Sequence, residues 1–243
     1  MATFILIHGS WHGGWCFDAV KALLEAQGHA VIAPDLPGMG GTDEEMAQIT
    51  LQGWGNFAAE LCRNASQKPV ILAGHSRGGL VVSQAAETAP EAINAIVYIC
   101  AMMLPDGMSR AQFKDMEEPN PAFDALISKT PGGHGSIITG ANPQAVFAQL
   151  SPRDAVAAAM ARLVSEPHGP RATPVHVTPE RWGTIPRTYV ECTADRTIPI
   201  SSQRRMLALS PGARVVTLDA DHSPFLSRPQ ALAQALLDAV PQG

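Results

Sequence analysis

The sequence has no surplus of positive charge. Its 17 Lys and Arg stand against 22 Asp and Glu, a formal net charge of −5, and neither sign gathers into blocks. Phosphate backbones and anionic lipid surfaces are bound through clustered cations, so neither nucleic acid nor a membrane is an expected partner. Long apolar runs are missing too. The stretch Met1-Ala-Thr-Phe-Ile-Leu-Ile-His-Gly has no basic start and too few apolar residues for a signal peptide or a span, which predicts a cytoplasmic protein. The four cysteines, at 16, 62, 100 and 192, show no Cys-X-X-Cys spacing. Three of them lie in apolar or helical stretches, where a thiol behaves as a small hydrophobe, so reduced core cysteines are expected. No Gly-X-Gly-X-X-Gly follows a strand pattern and no Walker loop is present, so no cofactor is expected. Internal repeats and low-complexity tails are absent as well.

What is there is a chain of 243 residues, 46% hydrophobic and 16% charged, enough to bury a full core in one sizeable domain. Short Val- and Ile-rich runs at 4–7, 31–33, 70–73, 96–100, 188–192 and 215–218 alternate with helical patterns at 16–27, 51–64, 80–89, 202–208 and 229–239. That rhythm predicts an α/β protein with a mostly parallel sheet flanked by helices. It breaks between Leu104 and Gly183, a Pro-, Gly- and Ala-rich stretch with helical pieces near 121–127, 144–149 and 154–164. Such a length is too great for a loop, so a helical cap over the strand ends is expected after the fourth strand. The organisation read from this is a core in two parts, 1–104 and 184–243, with the cap at 105–183.

Ligands of parallel sheets bind beyond the carboxyl ends of the strands, and chemistry-bearing residues gather there. Val-Ile-Leu-Ala-Gly-His-Ser-Arg-Gly-Gly at 70–79 reads as a strand, a sharp Gly-X-Ser-X-Gly turn and a helix, which makes Ser76 the candidate nucleophile. A serine hydroxyl needs a base, and an imidazole serves at neutral pH. Of eight histidines, His222 is preferred because it follows the last strand on a loop able to reach Ser76. His75 must point away across the turn and reads as structural, and His8 as ordering its loop. A metal on His8 and His12 is disfavoured, since Gly9, Gly13 and Gly14 deny that segment a helix. Asp195, after the fifth strand, is the preferred orienting acid, with Asp106 the runner-up and Asp219 or Asp221 as loop caps. The expected oxyanion donors are the N–H groups of Arg77 and Ser10. The Arg77 side chain reads as solvated.

With these residues in view the chain resembles the α/β-hydrolase superfamily and, within it, plant methyl-ester esterases and hydroxynitrile lyases. The blocks at 4–15, 28–36, 70–79, 180–199 and 219–223 carry the likeness almost end to end. A closer likeness is to bacterial carboxylesterases that hydrolyse pyrethroids, which share the Gly-His-Ser-Arg-Gly-Gly elbow and Ala-Met-Met-Leu-Pro. The resemblance implies Asp195 as acid and His222 as base. The lyases look to need a threonine where this chain has Gly9 and a lysine where it has Ser223, so the esterase expectation is the stronger. An apolar, adaptable pocket with few charges is expected from Trp11, Met102, Met103, Leu104, Phe113, Phe123, Leu126, Met160, Leu163 and Trp182. The expected activity is hydrolysis of bulky hydrophobic carboxylic esters, pyrethroid-like, through an acyl-enzyme. Cyanohydrin cleavage and a non-catalytic ligand receptor are the alternatives. A homodimer is compatible with the sequence.

Overall fold

Apolar runs buried on both faces form strands only if helices cover both sides of the sheet, and the chain alternates accordingly. The computed structural model describes residues 1–241. Its first part contains β1 (Thr3–Ile7), α1 (Asp18–Glu25), β2 (Ala30–Ile32), α2 (Asp43–Ala47), α3 (Leu51–Arg63), β3 (Val70–His75), α4 (Gly78–Thr88) and β4 (Ala95–Ile99). An inserted stretch follows with α5 (Arg110–Lys114), α6 (Pro121–Asp124), β5 (Ile127–Lys129), β6 (Gly135–Ile138), α7 (Gln144–Phe147), α8 (Arg153–Met160), β7 (Glu166–Pro167) and α9 (Gly169–Ala172). The chain then returns to the core through β8 (Arg187–Cys192), α10 (Ile200–Leu209), β9 (Ala213–Leu218), α11 (Pro224–Ser227) and α12 (Pro229–Leu237).

Six strands make one sheet in the order β2-β1-β3-β4-β8-β9, every pair parallel. These are the six strands expected from the sequence. Alternation along each strand sorts side chains to two cores. Ile5, Ile7, Val70 and Leu72 pack beneath α3 and α4, whereas Phe4, Leu6, Ile71 and Ala73 pack with residues of α1 and α12. Strand order reverses at β1, whose neighbours are β2 and β3, so a crevice opens beyond the carboxyl ends of β1 and β3.

The inserted stretch differs from the expected helical pieces in one respect. Beside its five short helices it holds a three-stranded antiparallel sheet, β5-β6-β7. Strands of two to four residues, one beside a Pro-Gly-Gly turn, are too short to show an alternating period. The insertion has its own apolar cluster, in which Leu126, Val146, Phe147 and Val156 pack around Trp11 from the loop after β1. Trp11 thereby ties the insertion to the end of the core sheet.

Close packing at the start of α4 fixes the crevice. A Cβ on Gly78 would lie 2.6 Å from the Ile7 carbonyl oxygen and 2.8 Å from that of His8, both rigid backbone. Gly78→Ala should therefore lower stability by about 1–3 kcal/mol, the usual cost of overpacking, measured as a shift of the urea midpoint at unchanged m-value.

Candidate active site

Ser76 sits at the end of β3 on a backbone turned to φ +53°, a region seldom occupied by a residue with a Cβ. Its N–H donates to the Ile99 carbonyl (3.1 Å), and its own carbonyl accepts from the N–H groups of Met102 (2.9 Å) and Gly79 (3.1 Å). Gly74 permits the turn, since a Cβ there would lie 2.6 Å from the Gly78 carbonyl oxygen. Strand and helix thus meet at a sharp corner with the serine at its tip.

Two other strand ends complete a hydrogen-bonded chain. His222, in the loop after β9, has Nε2 3.0 Å from Ser76 Oγ and Nδ1 2.7 Å from Asp195 Oδ2, Asp195 lying in the loop after β8. A carboxylate accepts, so the His222 proton belongs on Nδ1 and Nε2 keeps a lone pair for the serine hydroxyl. All three residues are buried. Asp195 Oδ1 also accepts from the N–H groups of Thr197 (2.7 Å) and Ile198 (2.9 Å). Its Oδ2 receives a longer contact from Gln203 Nε2 (3.4 Å), whose side chain also donates to the carbonyls of Cys192 and Ile198. Gln203 clamps the Asp195 loop, a role that its place in a helical pattern does not announce.

The loop after β1 is ordered by two neutral imidazoles. His8 Nδ1–H donates to Gly9 O (2.8 Å) while its Nε2 accepts from Leu36 N–H (3.0 Å). His12 Nδ1–H donates to Ser10 O (2.7 Å). Burial lowers both to a pKa of about 4, and it holds His75 well below the ordinary imidazole range. Trp11 adopts φ +58°, and its indole N–H donates to Ser136 Oγ on β6 (3.2 Å). The N–H groups of Ser10 and Arg77 have no protein acceptor among the described residues. Both residues border, with Ser76 and His222, a single cavity.

The other candidates fall as follows. His75 points away from Ser76, its Nε2–H donating to the His222 carbonyl (2.7 Å). Asp106 is exposed and pairs with His176 at 2.9 Å, away from His222. Asp221 accepts from Ser223 N–H, Ser227, Leu150 N–H and Ser151, so it caps the His222 loop and joins it to the insertion. His75, Cys100 and His222 could each offer a metal a ligand atom within 4.8 Å of the others, but both ring nitrogens of His222 are already engaged by Ser76 and Asp195.

The pocket corrects the sequence expectation in two ways. Of the ten wall residues proposed, Trp11, Met102 and Phe123 border the cavity. Met103, Leu104, Phe113 and Trp182 are instead in the core under α3 and α4, and Leu126, Met160 and Leu163 serve the insertion's own cluster. Apolar character alone cannot tell a wall from the layer behind it. Ile127, Phe147 and Ile198 supply the missing apolar surface. Nor is the wall poor in charge, because Arg77, Arg110, Lys114, Asp124, Glu166 and Arg171 also border it. The Arg77 side chain, expected in solvent, is buried 2.6 Å from Glu166 and lies over the Trp54 ring.

The chain is similar to known proteins along almost its whole length. The alpha/beta hydrolase family matches residues 4–235. A pyrethroid hydrolase of Sphingobium wenxiniae is 33% identical across 98% of this chain and 87% of its own length. Salicylic acid-binding protein 2 of Nicotiana tabacum is 33% identical across 97% of this chain and 95% of its own. The crystal structure of a pyrethroid hydrolase from Sphingobium faniae superposes with a TM-score of 0.85 at 32% identity, covering 98% and 96% of the two chains. The chain belongs to the alpha/beta hydrolase family and sits in it among carboxylic-ester hydrolases. Among the described residues, no helix is long and apolar enough to cross a membrane.

The buried imidazoles give stability a pH dependence of definite sign. Unfolded, His8 and His12 would titrate near 6.5, and folded near 4, so between these values the unfolded chain binds more protons. Their contribution is complete above pH 6.5 and is lost as pH falls towards 4, by up to roughly 3 kcal/mol for each. Urea midpoints between pH 4 and 7.5 should fall with acidification, with a shallower slope in His8→Asn and His12→Asn.

Proposed function

We propose that the protein is a serine carboxylesterase working through an acyl-enzyme, with Ser76 as nucleophile, His222 as base and Asp195 as orienting acid. The observation that carries this is the continuous chain from Ser76 Oγ through His222 to Asp195, at 3.0 and 2.7 Å, beside a cavity also lined by Ser10 and Arg77, whose N–H groups have no protein acceptor among the described residues. His222 takes the Ser76 proton as Oγ attacks the ester carbonyl, and the resulting imidazolium is stabilised by Asp195. The N–H groups of Ser10 and Arg77 receive the oxyanion, and their fixed positions cost no reorganisation as charge develops. Protonated His222 then delivers its proton to the departing alcohol. A water, deprotonated by the same ring, releases the acid and restores Ser76.

The substrate reading is a carboxylic ester with a bulky apolar body against Trp11, Met102, Phe123, Ile127 and Phe147. Pyrethroid-like esters fall in this class, in keeping with the bacterial relatives. Cyanohydrin cleavage is disfavoured at the two positions singled out from the sequence. A Cβ at Gly9 would lie 2.7 Å from Ser76 Cβ, leaving no room for an added hydroxyl without a shift. Ser223, where the lyases look to need a lysine, carries no charge, and its Oγ is buried without a partner. A receptor role would not require the ordered donors that hold Asp195. The compartment we propose is the cytoplasm, consistent with four buried free thiols.

Ser76→Ala should keep its circular dichroism and melting temperature while losing release of 4-nitrophenol from 4-nitrophenyl esters; wild-type rates in that variant would remove the assignment. Asp195→Asn, which leaves the ring able to settle in the wrong tautomer, should lower kcat by about 10⁴-fold with a smaller change in KM.

A further inference from the structure

Helices α5 and α9 of the insertion pack against one another and bring Arg110, Lys114 and Arg171 to the wall of the Ser76 cavity, alongside Arg77 from the elbow. Three of these cations have partners. Arg77 lies 2.6 Å from Glu166, Lys114 2.9 Å from Asp124 and Arg110 Nη2 2.7 Å from Glu117. Arg171 pairs with no carboxylate among the described residues, and Arg110 keeps its Nη1 enclosed without an acceptor. Among the described residues, Asp124 and Glu166 are the only carboxylates bordering the cavity, and each already faces its own cation. The wall therefore holds a surplus positive charge and an unfilled donor in a protein whose net charge is −5.

Repulsion sharpens the point. Burial lowers the Arg77 and Arg110 pKa values from the ordinary guanidinium value, their carboxylates oppose that, and Arg171 lowers both further. Arg77 and Arg110 thus each feel Arg171 across a partly desolvated wall, where an enclosed cation without a counter-charge is costly. The half-buried Arg171 is the one free to take an anion from the cavity side. A guanidinium fork matches a carboxylate in plane and spacing.

We propose that the ester hydrolysed here carries a carboxylate away from its scissile bond, and that Arg171 with Nη1 of Arg110 receives it. The natural substrates are then monoesters of dicarboxylic acids or similarly amphipathic esters, with the apolar body on Trp11, Phe123 and Phe147. The inference rests on the esterase reading of Ser76. Hydrolysis of such a monoester consumes one water and yields an alcohol, a dicarboxylate and a proton released to solvent, so no further reactant is needed.

The test compares 4-nitrophenyl monoesters of adipic, suberic and sebacic acids with neutral 4-nitrophenyl alkanoates of equal chain length, at low ionic strength. The best monoester should exceed its neutral counterpart in kcat/KM by about tenfold, the scale of one charge-assisted contact. That ratio should collapse towards one in Arg171→Gln, be partly restored in Arg171→Lys, and shrink with added salt in the wild type. Calorimetry with suberate supplies a readout independent of turnover, with binding expected to weaken about tenfold in Arg171→Gln. Equal rates on charged and neutral esters, or suberate binding indifferent to Arg171, overturn the proposal and leave the esterase reading standing. Absence of all ester hydrolysis removes the Ser76 reading instead, and the suberate titration then decides the fate of the cationic wall by itself.

Discussion

The corner at Ser76 is the constraint on which the rest of the site depends. A non-glycine residue at φ +53° costs of order 1–3 kcal/mol and persists only where surrounding structure over-determines it. Here the determination comes from neighbouring strand ends. The end of β4 grips Ser76 on both sides, Ile99 accepting from its N–H and Met102 donating to its carbonyl, while Gly78 brings α4 against the end of β1. The same contacts that impose the turn therefore set the distances from Ser76 to the loop after β1 and to the mouth of the crevice. The proposed nucleophile and its proposed oxyanion donors are consequences of one packing arrangement.

The insertion is joined to that corner through buried polar groups as well as apolar ones. Trp11 donates to Ser136 Oγ, Ser136 donates to Glu166 Oε1 (3.3 Å), and Glu166 faces Arg77. This run passes from the loop after β1, through β6 and β7, back to the residue following Ser76. Removing one member would leave a buried charge or donor uncompensated, the costly case for groups out of water. The small sheet of the insertion, which no period in the sequence announces, is thus what carries Glu166 to the elbow. Arg77 takes part twice: its backbone N–H has no protein acceptor among the described residues, and its side chain anchors the insertion through Glu166.

Legibility in the sequence followed range of interaction. The core strands can be read because β1, β3 and β4 are buried throughout and written as near-continuous apolar runs, while the partly exposed β2 and β9 and the mixed β8 keep short stretches rich in β-branched residues. Ser76, Asp195 and His222, which the structure brings into contact, can be picked out because parallel topology obliges such residues to stand just past strand ends. Gln203 could not, because a buried glutamine clamping a loop looks in sequence like any polar position of α10. Phe147, Arg110 and Arg171 were equally hidden, as they sit on elements of four or five residues whose placement is decided by tertiary packing rather than by periodicity. The charges of the wall escaped for a related reason. Sequence shows that lysine and arginine are scattered along the chain, but folding gathers residues 77, 110, 114 and 171 around a single cavity.

This division has a physical consequence for how substrate choice and chemistry relate in the molecule. Every group assigned to bond breaking stands at the end of a strand in a sheet covered on both faces, where displacement would disturb two cores at once. The groups assigned to recognition stand mostly on short helices held by local ion pairs, such as Lys114 with Asp124 and Arg110 with Glu117. Changes on the second set leave the sheet untouched, as loops on a rigid scaffold generally do. Arg77 is the exception, since its side chain belongs to the wall and its backbone to the proposed oxyanion site. A substitution there would couple specificity to catalysis, whereas one at Arg171 would separate them.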